Sequence, residues 1–253
     1  MVSRPNLAVL SDFSIDEIFS NRKETRIGTP FGPSELMYKV KFEDLELFYL
    51  QRREVEEEIP TQRFNYRANI WGLNKLGVER IISLNYFRAI NKKYLIGDII
   101  APNNLIDFTK ESIQTYYEKL LIDPIDLNEP FCSELNKILV KKSKSSSIKI
   151  WKDGIVACLG MPRFETKSER KMFSIMGTNL INVGISPEIF LSRELRMCYL
   201  SIGIIWTKSQ VLIKNDDKKP KDIEEALLDL KSILKQNLKR IPKRRSCACY
   251  LSE

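Results

Sequence analysis

The sequence predicts a single α/β domain with a central sheet flanked by helices, on three observations. Apolar side chains recur at helical spacing between residues 70 and 76, and Gly77 stands where a helix C-terminus favours glycine. A β-branched apolar run at residues 78–84 follows, which is typical of a buried strand. Residues 222–238 again carry apolar side chains at helical spacing, and 253 residues suffice for one large core.

The remaining strands are predicted from short apolar runs, which occur in chain order at residues 7–10, 45–50, 155–159 and 201–205. In open α/β sheets, ligands bind beyond the carboxyl ends of the strands, so we expect a pocket at residues 85–89. We expect the helix at 222–238 to pack on the sheet, because such a sheet needs helices on both faces. A helix that binds a partner is the alternative interpretation.

Composition indicates a globular protein, with 43% hydrophobic and 29% charged residues. No apolar run is long enough to span a bilayer and no signal-peptide pattern opens the chain, so we expect a soluble, cytoplasmic protein that binds no membrane. The net charge is +8, and residues 239–245 are mostly basic without any aromatic residue. We interpret residues 243–253 as a basic, cysteine-containing tail after a domain at 1–242, and we expect no nucleic-acid binding.

The chain contains five cysteines and no histidine. Close metal-ligand spacing is lacking, which argues against a zinc site and predicts no metal and no other cofactor. The exception in spacing is the pair Cys247 and Cys249, which forms either a disulfide or two exposed thiols. A disulfide between Cys132 and Cys198 is a further alternative. Abundant Ile, Lys and Glu fit a thermophile, and hyperthermophiles do keep disulfides in intracellular proteins.

Four segments carry a resemblance to a known family: TPFGPSE at 29–35, NYRANIWGLNKLGVERI at 65–81, IDFT at 106–109 and MCYLSI at 197–202. They are similar to segments of the purine nucleoside phosphorylases of the methylthioadenosine phosphorylase type. The resemblance implies a nucleoside-phosphorylase-like fold with a central mixed sheet flanked by helices. It also implies a trimer or hexamer that cleaves a purine nucleoside with inorganic phosphate.

The phosphate site that the resemblance implies has lost its usual turn. The family holds phosphate in a Gly-Gly-Ser/Thr-Gly turn, whereas this chain has Asp12 and Phe13 there, a carboxylate and a ring without a hydroxyl. Arg52 matches the phosphate-binding arginine, and Arg53 replaces its histidine partner. We therefore expect this turn not to bind phosphate. The vestigial phosphate site comprises Phe13, Arg52, Arg53, Asn85 and Tyr86.

The sugar side of the site is also altered. Phe164 matches the phenylalanine that contacts the ribose in the family, and Asn182 matches an asparagine of the sugar-binding segment. Val183 replaces the methionine that follows that asparagine. Pro124 stands where the family carries a histidine that reaches the neighbouring subunit's ribose, and proline cannot donate a hydrogen bond.

The acid that protonates the purine leaving group is missing. The family has Thr-Asp-x-Asp after the strand at 201–205, but here Thr207 and Ser209 take the positions of that segment. Their hydroxyls have too high a pKa to act as the acid. The sequence has no carboxylate between Cys198 and Asp216, so a small alignment shift supplies none. The vestigial substrate site comprises Phe164, Asn182, Val183, Thr207 and Ser209, without a catalytic residue.

These losses predict a methylthioadenosine phosphorylase homologue without catalysis, acting as a structural or regulatory subunit. Its expected partners are copies of itself, in a trimer or hexamer, or an active relative in a hetero-oligomer. The alternatives are an active phosphorylase with atypical site residues and a small-ligand sensor that uses a remodelled cleft. The cleft is expected to be narrow because bulky side chains line it, namely Phe13, Tyr86, Arg88 and Trp206.

Overall fold

A computed structural model of the chain describes residues 6–52, 64–109, 114–117, 125–141, 148–160, 163–208 and 222–250. In these ranges, eleven strands form one mixed sheet and two short strands pair separately. The strands are β1 (Leu7–Ser11), β2 (Ser20–Thr25), β3 (Gly28–Thr29), β4 (Gly32–Pro33), β5 (Met37–Phe42), β6 (Leu45–Gln51), β7 (Arg80–Ala89), β8 (Ile99–Ile100), β9 (Asn104–Phe108), β10 (Ile150–Trp151), β11 (Ile155–Leu159), β12 (Leu180–Asn182) and β13 (Cys198–Lys208). The helices are α1 (Tyr66–Lys75), α2 (Ser133–Lys141), α3 (Lys167–Ile175), α4 (Ile185–Glu194) and α5 (Ile223–Asn237).

The main path of the sheet has the strand order β10-β8-β13-β7-β1-β6-β5-β2. Its middle strands, β13, β7, β1 and β6, are parallel to one another. β1 lies between β6 and β7, parallel to both, and β13 runs parallel to β7 on its other side. β12 pairs antiparallel with the end of β7 and joins it to β11 and β9. The predicted α/β class and mixed central sheet are confirmed.

Strand register brings the ends of β1 and β6 to the same level. Ser11 lies opposite Gln51 on one side and Leu84 on the other. Asp12 and Arg52 are the residues that follow these strand ends, so their side chains meet at one edge of the parallel strands. The topology therefore places an aspartate and an arginine together, although the five strands β2 to β6 separate them in the chain.

Helix α1 forms where the periodicity predicts it. Asn65 caps its N-terminus by accepting a hydrogen bond from the backbone N–H of Ala68 at 3.1 Å. At the other end, Gly77 has a φ of 95°, a left-handed conformation that favours glycine. The turn then leads into β7, which begins at Arg80. The helix and the strand that were predicted here are both confirmed.

One prediction about this region is wrong. Residues 85–89 were expected to open a pocket beyond the strand, but β7 continues through them to Ala89. The reason is that β13 and β12 are long enough to pair with this extension, so the backbone polar groups of β7 are satisfied within the sheet. Any cleft must lie above this extended strand rather than after it.

Apolar side chains pack on both faces of the sheet. On β1, Leu7 and Val9 belong to one buried cluster, and Ala8 and Leu10 belong to the other, as strand alternation requires. The first cluster includes residues of α2 and α5, and the second includes residues of α1 and α4. The predicted packing of the helix at 222–238 on the sheet is therefore confirmed. Among the described residues, no helix has the length and apolar character needed to cross a bilayer.

The interpretation of Cys247 and Cys249 as two exposed thiols is wrong. Cys247 and Cys249 are buried, with 7% and 8% of their surface exposed. The backbone carbonyl of Lys243 accepts a hydrogen bond from the guanidinium of Arg80, and the hydroxyl of Ser246 donates to Glu134 at 2.8 Å. These contacts hold the segment against the start of β7 and α2. The domain boundary at residue 242 stays a prediction.

Candidate functional site

Arg52 is the centre of the candidate site, and every N–H group of its guanidinium already has a partner within the chain. Nε and Nη2 each donate to one carboxylate oxygen of Glu188 at 2.6 Å, a bidentate pair. Nη2 also donates to the hydroxyl of Ser83 at 2.6 Å. Nη1 donates to Asp12 at 3.1 Å and to the carbonyl of Leu84 at 3.3 Å. An arginine has five N–H donors, so none is left for an external anion.

The Asp12 carboxylate is bound by this arginine and by a backbone amide. One of its carboxylate oxygens accepts the hydrogen bond from Arg52, and the other accepts from the backbone N–H of Tyr86 at 3.1 Å. The backbone N–H of Asp12 in turn donates to the carbonyl of Leu84 at 3.0 Å. A guanidinium and a backbone amide are typical ligands of a phosphate oxygen. Here a carboxylate of the chain itself uses both.

The site carries a net negative charge from its own groups. Arg52 contributes one positive charge, and Asp12 and Glu188 contribute one negative charge each. Burial would lower the pKa of the Arg52 guanidinium, but the charge of Glu188, followed by that of Asp12, keeps this pKa well above its ordinary value. Burial, followed by the Glu188 charge, raises the pKa of Tyr199, whose hydroxyl donates to Glu188 at 2.7 Å. The buried ions are thus paired and hydrogen-bonded.

Three aromatic rings stand in a row beside this network. The ring centroid of Phe13 lies 5.0 Å from that of Tyr86, which lies 5.9 Å from that of Trp206. The register of β13 shifts between Ile205 and Thr207, so Trp206 is the extra residue of a β-bulge. Phe13 is buried, whereas 47% of the Trp206 surface is exposed. The row therefore runs from the turn that follows β1 to the surface at the end of β13.

Arg88 lies on the same face of β7 as Tyr86, because the two residues are two positions apart on the strand. Its guanidinium forms an ion pair with the buried Glu165 at 3.1 Å and stands 4.9 Å from the ring centroid of Phe164. Burial lowers the pKa of Arg88 despite the opposing charge of Glu165. Phe164, predicted to contact a ribose, is 67% exposed and rests on this guanidinium.

Two predicted site residues, Asn182 and Asn85, form hydrogen bonds that stabilise the fold. The amide oxygen of Asn182 accepts from the backbone N–H groups of Gly184 at 2.8 Å and Ile185 at 3.0 Å, where α4 begins. Its amide nitrogen donates to the carbonyl of Tyr86 at 3.0 Å. Asn85 is buried, and its amide nitrogen donates to the Ser201 hydroxyl at 2.8 Å across to β13. Both asparagines hold neighbouring elements together.

The structure describes only some of the residues predicted to stand in place of the acid that protonates the purine. Thr207 is half-buried and lies opposite Arg88 on the neighbouring strand. Val183 lies in the turn between β12 and α4. The remaining predicted residues, Arg53, Pro124 and Ser209, lie outside the described residues.

Comparison with known proteins identifies the family. A family model, described as the phosphorylase superfamily, matches residues 8–240. The chain belongs to this superfamily. It is 32% identical to the S-methyl-5'-thioadenosine phosphorylase of Pyrococcus horikoshii, over 97% of this chain and 96% of that protein. It is also 32% identical to a probable 6-oxopurine nucleoside phosphorylase of Dictyoglomus turgidum, over 92% of this chain and 90% of that protein. The predicted family is confirmed.

Solved structures show that the superfamily fold extends over nearly the whole chain. A methylthioadenosine phosphorylase from an antarctic soil metagenomic library superposes with a TM-score of 0.85 at 19% identity, covering 97% of this chain and 89% of that one. An adenosine/methylthioadenosine phosphorylase variant of Schistosoma mansoni, solved with methylthioadenosine, also gives 0.85 at 22% identity, covering 95% and 92%. At these identities the comparison shows the shared fold.

Sequence reasoning missed several partners of the network in this superfamily member. It identified Arg52 and Asp12, but not that they pair with each other, and it neither recognised Glu188 as the partner of Arg52 nor gave a role to Tyr199. The available signal was the position of Arg52 directly after an apolar strand. A cation that is buried at such a position requires a carboxylate partner, and Glu188 matches the family's Pro-Glu sequence.

Replacing Arg52 with alanine is expected to destabilise the chain by about 3–5 kcal/mol, the usual cost of leaving a buried charge unpaired. The reason is that Glu188 is 1% exposed and would retain only neutral partners. Urea unfolding followed by circular dichroism measures this change. The control is Lys39→Ala, because the Lys39–Glu46 pair is about one-third exposed on both sides and should contribute about 1 kcal/mol or less. Equal effects of the two variants would contradict the central role of Arg52.

Proposed function

We propose that this chain is a phosphorylase-superfamily member that has lost phosphorolysis and acts as a structural or regulatory subunit. One observation carries the proposal: the five donors of Arg52 are all engaged by the chain, with Asp12 in the place of an anion. The resemblance assigns phosphate to this arginine. A phosphate would have to displace the Asp12 carboxylate before it could bind.

Electrostatics supports the same conclusion. The three ionised groups at the site sum to one negative charge, so a phosphate dianion would enter a field that opposes it. Asp12 is only 13% exposed in its side chain and could not move into bulk solvent without rearrangement of its turn. The cost of leaving it buried beside a dianion exceeds that of the present arrangement, in which each charge has a partner.

The leaving-group side supports the proposal independently. A purine leaves slowly unless an acid protonates it, and the two aspartate positions that the resemblance implies hold Thr207 and Ser209. The sequence between Cys198 and Asp216 contains no carboxylate, and the chain contains no histidine. Phosphate binding and proton donation are separate steps, so each defect lowers the rate by itself.

The relatives define the main alternative, which is an active enzyme. Sequence relatives at about one-third identity are named as S-methyl-5'-thioadenosine phosphorylases, so methylthioadenosine is the first substrate to test. The small-ligand sensor is the second alternative. The exposed ring of Phe164 on Arg88 is the feature that would contact such a ligand.

The purified chain is expected to release no free base above background from methylthioadenosine, adenosine, inosine or guanosine with inorganic phosphate. The physical reasons are the occupied Arg52 and the missing acid. Chromatographic detection of the free base measures the outcome, with an active superfamily enzyme as positive control. The proposal would be contradicted by robust, phosphate-dependent release of free base that Arg52→Lys abolishes. Circular dichroism must show that this variant is folded.

Asp12→Ala is expected to create phosphate binding that the wild type lacks. The substitution frees one Nη1 hydrogen of Arg52 and the backbone N–H of Tyr86, and it changes the site's net charge from −1 to zero. Stabilisation by phosphate should reach about 1.4 kcal/mol at a concentration ten times Kd. Thermal unfolding at constant ionic strength measures it. Asp44→Ala, which removes an exposed carboxylate in the β5–β6 turn, is the matched control. An equal response in wild type and Asp12→Ala would show that Asp12 does not block the site.

We further propose that the chain assembles with itself or with an active relative. Residues that hold the scaffold together, such as Asn182, remain in place while implied ligand contacts are replaced, which is expected if the fold and its interfaces still serve a purpose. Closed homo-oligomers are the commonest assemblies. Native mass spectrometry of the chain, alone and co-expressed with an active relative, should show a trimer, a hexamer or a mixed ring. A monomer in both samples would remove this proposal and favour the sensor.

A further inference from the structure

Four of the five cysteines meet in one buried cluster. Their Sγ atoms, from Cys132, Cys198, Cys247 and Cys249, all lie within 4.8 Å of one another. Each of the four residues has at most 8% of its surface exposed. The Sγ atoms of Cys198 and Cys247 are 3.3 Å apart. The fifth cysteine, Cys158, lies on β11 in the core cluster on the other face of the sheet.

We propose that these four sulfurs bind one zinc ion in a closed, structural site. Zinc bound by four thiolates is tetrahedral with Zn–S bonds of about 2.3 Å, which places neighbouring sulfurs about 3.8 Å apart. The separations among the four Sγ atoms are at most 4.8 Å. Small rotations of the side chains would bring the sulfurs to the tetrahedral spacing. Four protein ligands leave no open coordination position, so the ion would hold the structure rather than catalyse a reaction.

The ligands come from three parts of the chain that zinc would tie together. Cys132 directly precedes α2, and Cys198 is the first residue of β13. The backbone N–H of Cys132 donates to the carbonyl of Tyr199 at 2.8 Å, which fixes these two ligands relative to each other. Cys247 and Cys249 supply the other two sulfurs from the C-terminal segment. Their C-x-C spacing permits both side chains to reach the same ion.

Charge around the cluster favours bound thiolates. Zinc with four thiolates carries a net charge of −2, which buried surroundings must offset. The Arg193 guanidinium acts on Cys249, and among the described residues its Nη1 is buried without a hydrogen-bond partner. Binding converts four thiols to thiolates and releases their protons to solvent.

The cluster revises the prediction that spacing excludes zinc. That prediction rested on separation along the chain, and it is wrong as an argument because the fold brings distant cysteines together. Two disulfides are the competing state of the same four sulfurs. The two states differ in metal content and in free thiols after metal removal, so metal analysis and thiol titration together distinguish them.

The test is zinc content of the full-length chain, expressed with added zinc chloride and purified with a non-thiol reductant and without chelator. Mass spectrometry of the metal should find about one zinc per chain in wild type. Cys249→Ser and Cys247→Ser should each lower this to about a tenth or less, whereas Cys158→Ala should retain about one. A chelator should lower the unfolding temperature of wild type and Cys158→Ala but not that of Cys249→Ser.

A second measurement keeps the proposal falsifiable if the serine variants do not fold. Refolding the wild type with cobalt chloride in place of zinc should give the intense thiolate-to-cobalt absorption and the visible bands of a tetrahedral thiolate site. Folded wild type without zinc and without these bands would overturn the proposal. Thiol titration in denaturant of wild type purified under inert gas without any reductant would then assign the sulfurs, with one free thiol indicating two disulfides and five indicating none.

Discussion

The buried ion pair between Arg52 and Glu188 is the interaction on which the centre of this fold depends. Arg52 follows β6 and Glu188 lies on α4, so the pair connects the sheet to a helix that packs on it. The remaining donors reach the ends of β1 and β7 through Asp12, Ser83 and the carbonyl of Leu84. A single guanidinium thus joins three adjacent strands. A charge at such a position is stable only when every donor is satisfied, which constrains all the elements around it.

The proposed function places the loss of phosphate binding and the loss of proton donation at different residues of this superfamily member. In that proposal, Asp12 takes the place of the anion, and the row from Phe13 to Trp206 fills space beside it. Thr207 and Ser209 stand where the proton donor is missing. Asp12 and Thr207 lie far apart in the chain and concern different steps of the reaction. Undoing one of these losses therefore restores one property and leaves the other absent.

Local pattern accounts for the part of the structure that sequence could predict. Helix α1, strands β1 and β6, and helix α5 follow from periodicity and capping residues within each segment. The pairing of Asp12 with Arg52, the continuation of β7 to Ala89 and the meeting of four cysteines all depend on contacts between distant segments. Such contacts are set by strand register, which no local window contains. The family resemblance identified Arg52 because it carries that long-range information from other proteins.

A carboxylate attached to the chain has an advantage over free anions in binding the same arginine. Asp12 is tethered two bonds from a backbone that the sheet holds in place, so its effective concentration at Arg52 is at least on the order of the millimolar values typical of short flexible linkers. Its rigidity raises this value further, because little entropy is lost when it binds. Ordinary changes in the concentration of free phosphate would then leave the occupancy of the arginine unchanged. The chain would be insensitive to a metabolite that governs its relatives' chemistry.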